Sequence, residues 1–185
     1  NSNEIVSVSG PGSNLNKGTF IKINFFKKII KDLKIKSILD MACGDFLWMN
    51  KIIQQTNIDY LGIDIVEELI SENQNKYKKR NINFKSYDIV SFTTKKKFDL
   101  IIIKDLLIHL KNSDILKIIN NLRNMNFKYL ALSSSAIKQN KDVIVGKHRQ
   151  VNLLKEPYNL NKPKLSFKDG GKHNFVYIFE KKDLK

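Results

Sequence analysis

Cysteine, proline and arginine are scarce in this chain of 185 residues, and each scarcity excludes something. The single cysteine, Cys43, excludes an internal disulfide and provides no zinc-binding framework. We therefore expect a reducing, cytoplasmic setting and no metal site. Three prolines leave no Pro-rich linker between domains. No apolar run approaches the roughly 18 residues that a membrane-spanning helix needs, and the polar N-terminus shows no secretory signal.

The scarcity of arginine decides how the charge is interpreted. A formal net charge of +15 and a pI near 9.8 are also typical of nucleic-acid-binding proteins. Only Arg80, Arg123 and Arg149 can form the paired hydrogen bonds by which arginine recognises phosphates and bases. Abundant Asn and Ile beside the Lys indicate an A/T-rich coding sequence, so we attribute the charge mainly to compositional bias. Nucleic acid is an alternative partner that the sequence does not favour, and the oligomeric state is left open.

Strand and helix patterns alternate between residues 19 and 135. Apolar residues at helical spacing predict a first helix over residues 19–33, and Ser113 is a candidate N-cap for the last helix. Apolar strands without polar alternation, separated by helical segments, predict a parallel sheet covered on both faces. The predicted strands of this part are residues 37–41, 59–64, 82–89, 98–105 and 128–135.

The pattern changes after residue 135. A polar, proline-containing segment covers residues 136–163, and two further strands, "KLSF" and "NFVYIFE", are joined by the hairpin signal "KDGGKH". We therefore predict one α/β domain over residues 1–185, with a doubly wound, mostly parallel sheet of seven strands that ends in an antiparallel β-hairpin. Residues 1–17, rich in Ser, Asn, Gly and Pro, are predicted to form an irregular lead-in or a lid.

The stretch "LDMACGD" places a glycine between two carboxylates at the end of the first predicted strand. Ligands of open parallel sheets bind beyond the carboxyl ends of the strands, and Gly44 would let a ligand approach the backbone closely. A dinucleotide would need a G-x-G-x-x-G turn of bare N–H groups, whereas Gly44 lies between Asp40 and Asp45. Carboxylates repel phosphate, so the pattern disfavours NAD and ATP and favours S-adenosylmethionine (SAM), whose sulfonium and ammonium are positive.

Four motifs, in this order and spacing, resemble those of the class I SAM-dependent methyltransferases. They are "LDMACGD" (39–45), "GIDI" (62–65), "YDI" (87–89) and "FDLIIIKDLLIHL" (98–110). With the fifth strand and the terminal hairpin, the resemblance extends over most of the chain. It implies a Rossmann-like fold and methyl transfer from SAM, with S-adenosylhomocysteine (SAH) as product. The sequence departs from the family pattern at Ala42-Cys43, where many members have Gly-x-Gly.

The resemblance implies cofactor-binding residues at the ends of the first four strands. Asp64 would accept both ribose hydroxyls, as an acid after the second strand does in dinucleotide folds. Asp88 would accept the adenine amino group, with Ile89 or Tyr87 against the ring, and Lys104 would lie over the methionine moiety or the acceptor. For each acid, the alternative is a structural turn or cap. The predicted cofactor-binding set is Asp40, Ala42, Cys43, Gly44, Asp64, Ile65, Asp88, Ile89 and Lys104.

Methyl transfer requires the acceptor to be held in line with the sulfonium, and a hydroxyl or amine acceptor must also lose a proton. In "KDLLIHL", Asp105 and His109 are four residues apart, which in a helical turn would place them on one face. We predict that His109 is the general base and that Asp105 orients its imidazole or contacts the substrate. The alternative is a helix-capping histidine packed near the sheet.

The segment 136–163 is where such folds place acceptor specificity, and within it residues 145–160 concentrate polar side chains suited to a polar or anionic acceptor. The alternative is a solvated loop. The predicted acceptor-binding residues are Ser13, His148, Arg149, Asn152 and Tyr158.

We expect an O-methyltransferase that acts on a hydroxyl of a sugar, a glycan or another polar small molecule. One alternative is an RNA or protein methyltransferase that uses the basic surface. It is disfavoured because the basic runs 78–80 and 95–97 lie in connections expected to face away from the carboxyl ends of the strands. A second alternative is a SAM-binding module without catalysis.

Overall fold

A computed structural model describes residues 6–10, 14–144, 146–170 and 173–184 of the chain. Apolar runs form the strands and amphipathic segments form the helices, as their periodicities require. In chain order the elements are α1 (Lys17–Asp32), β1 (Ser37–Met41), α2 (Leu47–Ile53), β2 (Asp59–Asp64), α3 (Glu67–Tyr77), β3 (Ile82–Ser86), β4 (Phe98–Ile103), a 3₁₀ helix (Leu107–His109), α4 (Asn112–Asn124), β5 (Phe127–Ser135), β6 (Leu165–Lys168), β7 (Asn174–Glu180) and a 3₁₀ helix (Lys181–Leu184).

The strands form a mixed sheet in the order β3-β2-β1-β4-β5-β7-β6. β1 pairs with β2, β2 with β3, and β4 with β5, all in parallel. β7 pairs antiparallel with both β5 and β6. This confirms the predicted α/β fold, including the antiparallel hairpin that follows the parallel strands. No helix of the described residues is long and apolar enough to cross a membrane.

The chain divides into two compact units, residues 1–87 and 88–185. The first unit holds β1, β2 and β3, and the register of β1 and β2 places Asp40 opposite Gly62. Its core includes a cluster of four aromatic rings. The Phe46 ring lies 4.8 Å from that of Tyr60, 5.1 Å from Phe84 and 5.3 Å from Tyr77 between centroids. Such tilted and edge-on contacts add to the apolar area that the rings bury.

In the second unit, every residue of β4 is buried, and α4 buries one apolar face. The predicted N-cap of α4, Ser113, is wrong: the cap position is Lys111, and Ser113 lies inside the helix. The Asp142 carboxylate accepts the Asn112 N–H at 2.9 Å instead. A carboxylate at the positive end of the helix replaces the side-chain cap, and this hydrogen bond lowers the pKa of Asp142.

The carboxyl end of α4 is closed by a lysine from the segment that follows β7. The Lys181 ammonium donates to the carbonyls of Leu122, Arg123 and Met125, each at 2.7 Å. It also lies 4.5 Å from the centroid of the Phe127 ring. The last turn of a helix leaves carbonyls without partners and carries partial negative charge, so a cation is favoured there.

Candidate active site

The loop after β1 turns through three residues in the left-handed region, Ala42 (φ 67°), Gly44 (φ 57°) and Phe46 (φ 57°). Only glycine adopts this region without steric cost. The amides of Ala42 and Cys43 both donate to the Ile63 carbonyl of β2, at 2.9 and 3.0 Å. Pairing with β2 and burial of the Phe46 ring therefore hold a backbone shape that the residue types at positions 42 and 46 disfavour.

Cys43 fills space within this loop. It is buried, and a Cβ added to Gly62 would lie 2.9 Å from the Cys43 sulfur. Burial, assisted by the nearby carboxylates of Asp40 and Asp64, raises the pKa of the Cys43 thiol well above its usual value. The thiol is therefore neutral and unsuited to nucleophilic attack.

Asp40 is buried at the end of β1, where one of its oxygens accepts a hydrogen bond from the Tyr60 hydroxyl at 2.7 Å. Burial, and then the charge of Asp40, raise the pKa of Tyr60 well above its usual value, so Tyr60 keeps the proton that it donates. The Tyr60 ring packs against Phe46 in the loop after β1. Through its bond to Tyr60, Asp40 therefore supports the shape of that loop.

Asp64, at the end of β2, is both oriented by hydrogen bonds and partly exposed. Its Oδ2 accepts the Gly44 N–H at 3.1 Å and its Oδ1 accepts the Val66 N–H at 3.2 Å. A carboxylate oxygen has two lone pairs, so these two bonds fix the carboxylate and leave it capacity to accept others. Ile65 is 64% exposed, and Tyr87, whose N–H donates to the Asp64 carbonyl at 2.9 Å, is 44% exposed. Apolar surface thus flanks this acid.

Asp88 and Ile89 follow β3, which ends at Ser86 and not at residue 89 as expected. The Asp88 carboxylate closes a turn by accepting the Val90 N–H at 3.0 Å and the Ser91 hydroxyl at 3.1 Å. This turn chemistry explains the early end of the strand. Asp88 is exposed, whereas Ile89 is buried.

The described part of the lead-in, residues 6–10, contacts the same loop. The Ser7 hydroxyl and the Val8 N–H donate to one oxygen of Asp45 at 2.6 and 3.1 Å, and the Asp45 N–H donates to the Ser9 hydroxyl at 2.8 Å. A Cβ on Gly44 would lie 2.3 Å from the Ser9 oxygen, so the packing of Ser9 requires glycine here. Ser13, predicted to bind the acceptor, lies outside the described residues.

Sequence reasoning missed Asn73 on α3. Asn73 is buried, and its side-chain amide donates to the Gly44 carbonyl at 2.7 Å. The available signal was its position three residues after Ile70, on the buried face of an otherwise polar helix. Asn73 and Asp64 therefore hold Gly44 from its carbonyl and its amide.

In the second unit, Lys104 and Asp105 follow β4. Lys104 forms ion pairs with Asp105 and with Asp169 of the β6–β7 turn, the latter at 3.0 Å. Asp105 has a left-handed backbone (φ 58°) and precedes a 3₁₀ helix, Leu107–His109. The expected α-helical turn is therefore wrong, and the four-residue spacing to His109 does not by itself place both side chains on one face. His109 and His148 are exposed, with ring centroids 6.1 Å apart.

Arg149 fastens the acceptor-side segment to the helix that carries His109. Its guanidinium donates to the carbonyls of Leu107 and Ile108 at 3.1 and 3.3 Å and to the Asn112 side chain at 2.7 Å. The Tyr158 hydroxyl, buried, donates to the same Asn112 oxygen at 2.5 Å. Desolvation raises the pKa of Tyr158 to about 12, so this hydroxyl stays protonated.

Asn152 is also engaged with the protein itself. Its side-chain amide donates to the Ile137 carbonyl at 2.6 Å, and its side-chain oxygen accepts the Leu154 N–H at 3.0 Å. These contacts indicate that Arg149, Asn152 and Tyr158 shape the segment 136–163. Of the predicted acceptor residues, His148 is the exposed one among those the structure describes.

Replacing Ala42 by glycine should stabilise the fold. Relief of left-handed strain (roughly 1–2 kcal/mol) exceeds the added entropy of the unfolded chain, so we expect the free energy of unfolding to rise by about 0.5–1 kcal/mol. Urea denaturation measures it, with Ala131→Gly inside β5 as the matched control that should destabilise. A loss of stability in Ala42→Gly contradicts the assignment of strain.

Arg149→Lys should loosen the helix at residues 107–109. Lysine keeps the charge but cannot reproduce the planar set of donors, so we expect the free energy of unfolding to fall by about 1–2 kcal/mol. Hydrogen exchange should become faster at the amides of 107–110. Arg80→Lys, at an exposed position, is the control. Equal effects of the two replacements would show that the hydrogen bonds of Arg149 do not hold residues 107–109 in place.

Residues 38–126, which contain the loop after β1, the end of β2 and the segment after β4, match a family model described as a methyltransferase domain. Comparison with curated protein sequences gives no significant match.

Solved structures share the fold at low sequence identity. The N-methyltransferase NodS from Bradyrhizobium japonicum WM9, in complex with SAH, is 16% identical, with a TM-score of 0.67 over 90% of this chain and 88% of that one. Magnesium protoporphyrin IX methyltransferase from Synechocystis PCC 6803, with bound SAH, is 16% identical, with a TM-score of 0.65 over 88% and 83%. The methyltransferase domain of bacterial CtHen1 is 10% identical, with a TM-score of 0.65 over 86% and 97%. Over residues 38–126 the chain is thus similar to methyltransferase domains in sequence, and it has the Rossmann-like fold of the class I methyltransferases.

Proposed function

We propose that the chain transfers a methyl group from SAM to a hydroxyl of a polar acceptor and releases SAH. The carboxylate of Asp64 carries this proposal, because it is fixed by two backbone amides and remains partly exposed beside apolar side chains. A nucleoside presents vicinal hydroxyls next to a flat ring, which is the chemistry that an oriented acid and flanking apolar groups recognise. The SAH bound in two similar structures supports the same cofactor.

The residues around β1 and β2 fit such a nucleoside. Asp64 would accept the ribose hydroxyls, and the exposed Ile65 and Tyr87 would lie against the purine. The loop of Ala42 and Gly44 would supply backbone at close range. Asp40 would hold that loop through Tyr60, and residues 7–9, bonded to Asp45, would act as the lid expected of the lead-in.

Two further predicted cofactor residues keep their proposed roles with less support. Asp88 is exposed and would approach the adenine amino group from its turn, but both of its oxygens already accept hydrogen bonds there. The side chain of Ile89 is buried, which favours Tyr87 as the apolar contact.

On the acceptor side, we assign His109 as the general base. It is exposed, and Arg149 anchors the short helix that carries it. The His109 imidazole would accept the proton that the acceptor hydroxyl loses during methyl transfer and would pass it to water. SAM supplies the activated methyl group; His109, Asp105 and His148 would orient the acceptor and accept its proton.

The other functions have weaker support. Methylation of RNA or protein would be favoured by lysines around the strand carboxyl ends, but residues 78–80 lead into the amino end of β3 and residues 95–97 into that of β4. A SAM-binding module without catalysis would bind SAH and transfer no methyl group. The acceptor itself is proposed only as a polar small molecule or glycan.

Asp64→Asn should weaken SAH binding by about 10- to 100-fold, because the neutral amide loses charge-assisted hydrogen bonds to the ribose. Asparagine keeps one oxygen for the Gly44 N–H and loses the bond to the Val66 N–H, which should lower the free energy of unfolding by about 0.5–1.5 kcal/mol and leave the chain folded. Calorimetry with SAH measures the affinity. Asp59→Asn, at the exposed amino end of the same strand, is the matched control and should bind SAH normally. Unchanged affinity in Asp64→Asn would refute the ribose assignment.

His109→Gln should abolish most methyl transfer while SAH affinity is retained. Loss of a general base typically costs about 10²- to 10⁴-fold in rate. The measurement is transfer of label from SAM to glycan, nucleotide and RNA fractions, with calorimetry on the same samples. His173→Gln, an exposed histidine of the β6–β7 turn, serves as control. Full activity of His109→Gln would remove this residue from the mechanism.

A further inference from the structure

Helix α1 buries one face in the first unit and exposes the opposite one. Ile23, Phe26 and Ile29 are buried, and the Phe26 ring lies 5.3 Å from that of Trp48 between centroids. Each helical residue advances by about 100°, so the exposed residues fall within roughly 60° of one line along the helix. This outer face of α1 carries four lysines and two apolar residues: Lys17, Phe20, Ile21, Lys27, Lys28 and Lys31.

Two large apolar side chains of the outer face are exposed to solvent. Phe20 is 51% exposed and Ile21 is 54% exposed, in the first two turns of α1. Val6 and Val8, in the lead-in that precedes the helix, are 74% and 79% exposed. The inner face already packs the helix onto the unit, so the fold does not use these side chains. Adjacent exposed apolar residues lower the free energy when a partner removes them from water.

The remainder of the outer face is basic. Lys17 lies at the amino end of α1, and Lys27, Lys28 and Lys31 lie in its carboxyl half. The one acid in the sequence of the helix, Asp32, lies at the margin of this face and pairs with Lys28 at 2.8 Å. Four lysines and one carboxylate therefore accompany the apolar pair over a length of roughly 24 Å.

The lysine-rich composition of the chain does not give every helix such a surface. The exposed side of α3 has three glutamates and one lysine. On α4, Leu116 is 40% exposed, and the nearby Lys117 pairs with Asp114 at 3.5 Å. The combination of adjacent apolar residues with several lysines is thus a local feature of α1.

We propose that the outer face of α1 docks the protein on an anionic lipid bilayer, with the helix axis parallel to the membrane plane. The inference goes beyond the proposed methyl transfer and does not depend on it. The lysines would lie against acidic headgroups, and Phe20 and Ile21 would reach the boundary with the acyl chains, as the apolar residues of interfacial helices do. The inner face would keep its packing, so docking requires no unfolding.

Charge complementarity selects this partner over two others. A second copy of the same face would bring like charges together, which disfavours self-association. Nucleic acid would meet the lysines, but α1 contains no arginine for paired hydrogen bonds with phosphates, and the aliphatic Ile21 offers no ring on which a base could stack. An acidic bilayer accommodates the charges and both apolar side chains together.

Sedimentation of the full chain with lipid vesicles tests the docking. At about 0.1 M salt, we expect vesicles of phosphatidylcholine with about 30% phosphatidylserine to bind at least about tenfold more tightly than pure phosphatidylcholine. Lys27→Gln combined with Lys31→Gln should weaken this binding about tenfold. Lys78→Gln combined with Lys79→Gln removes the same charge at exposed positions after α3 and is the matched control, which should bind like the wild type.

Phe20→Trp gives a readout of insertion that does not depend on a loss of binding. Its fluorescence should shift to shorter wavelength on the phosphatidylserine vesicles and should be quenched by lipids brominated in the acyl chains. Leu116→Trp, at an exposed position of α4, has the same background from the buried Trp48 and should not be quenched. Circular dichroism confirms that each variant is folded.

Several results would overturn the proposal. These are equal binding to acidic and neutral vesicles, binding to neither, an equal loss in the Lys78 and Lys79 control, or absence of quenching in Phe20→Trp. An RNA oligonucleotide that binds through Lys27 and Lys31 more tightly than the acidic vesicles would make the face a nucleic-acid surface instead. A dimer that the same two replacements convert to a monomer in ultracentrifugation would make it a contact between copies of the chain.

Discussion

The candidate cofactor site depends on the hydrogen bond from the Gly44 amide to the Asp64 carboxylate, which ties the loop after β1 to the end of β2. Asn73 holds the carbonyl of the same glycine from α3. The loop adopts left-handed conformations at non-glycine positions, so it needs these external bonds to keep its shape. The carboxylate that we propose binds the ribose therefore also orders the backbone beside it, so Asp64 has a structural role in addition to the proposed one.

The second unit uses a comparable arrangement with opposite charge. Arg149 donates to a carbonyl of the short helix that carries His109. Arg149 and the buried Tyr158 hydroxyl also donate to the same side-chain oxygen of Asn112. An arginine whose donors are used internally is a poor receptor for anions.

Sequence periodicity was sufficient for the fold, because buried parallel strands such as β4 are continuous apolar runs whatever their partners. It failed where backbone conformation departs from the residue's preference. Asp105 adopts the left-handed region, which is uncommon for residues other than glycine, so the helical spacing to His109 did not apply. The partners of Asn152 and Lys104 were invisible for another reason: Asn152 bonds the carbonyl of Ile137, and Lys104 pairs with Asp169, contacts that only the folded chain brings together.

Lys181 binds three carbonyls at the end of α4 from a position directly after β7. Opening the last turn of that helix therefore exposes a partly desolvated ammonium as well as the carbonyls, and detaching the terminal strand does the same. Releasing either α4 or β7 alone breaks the bonds of Lys181 and costs free energy. The two elements should therefore open together, as one cooperative unit, in native-state fluctuations. Local flexibility would then be confined to segments outside this pair.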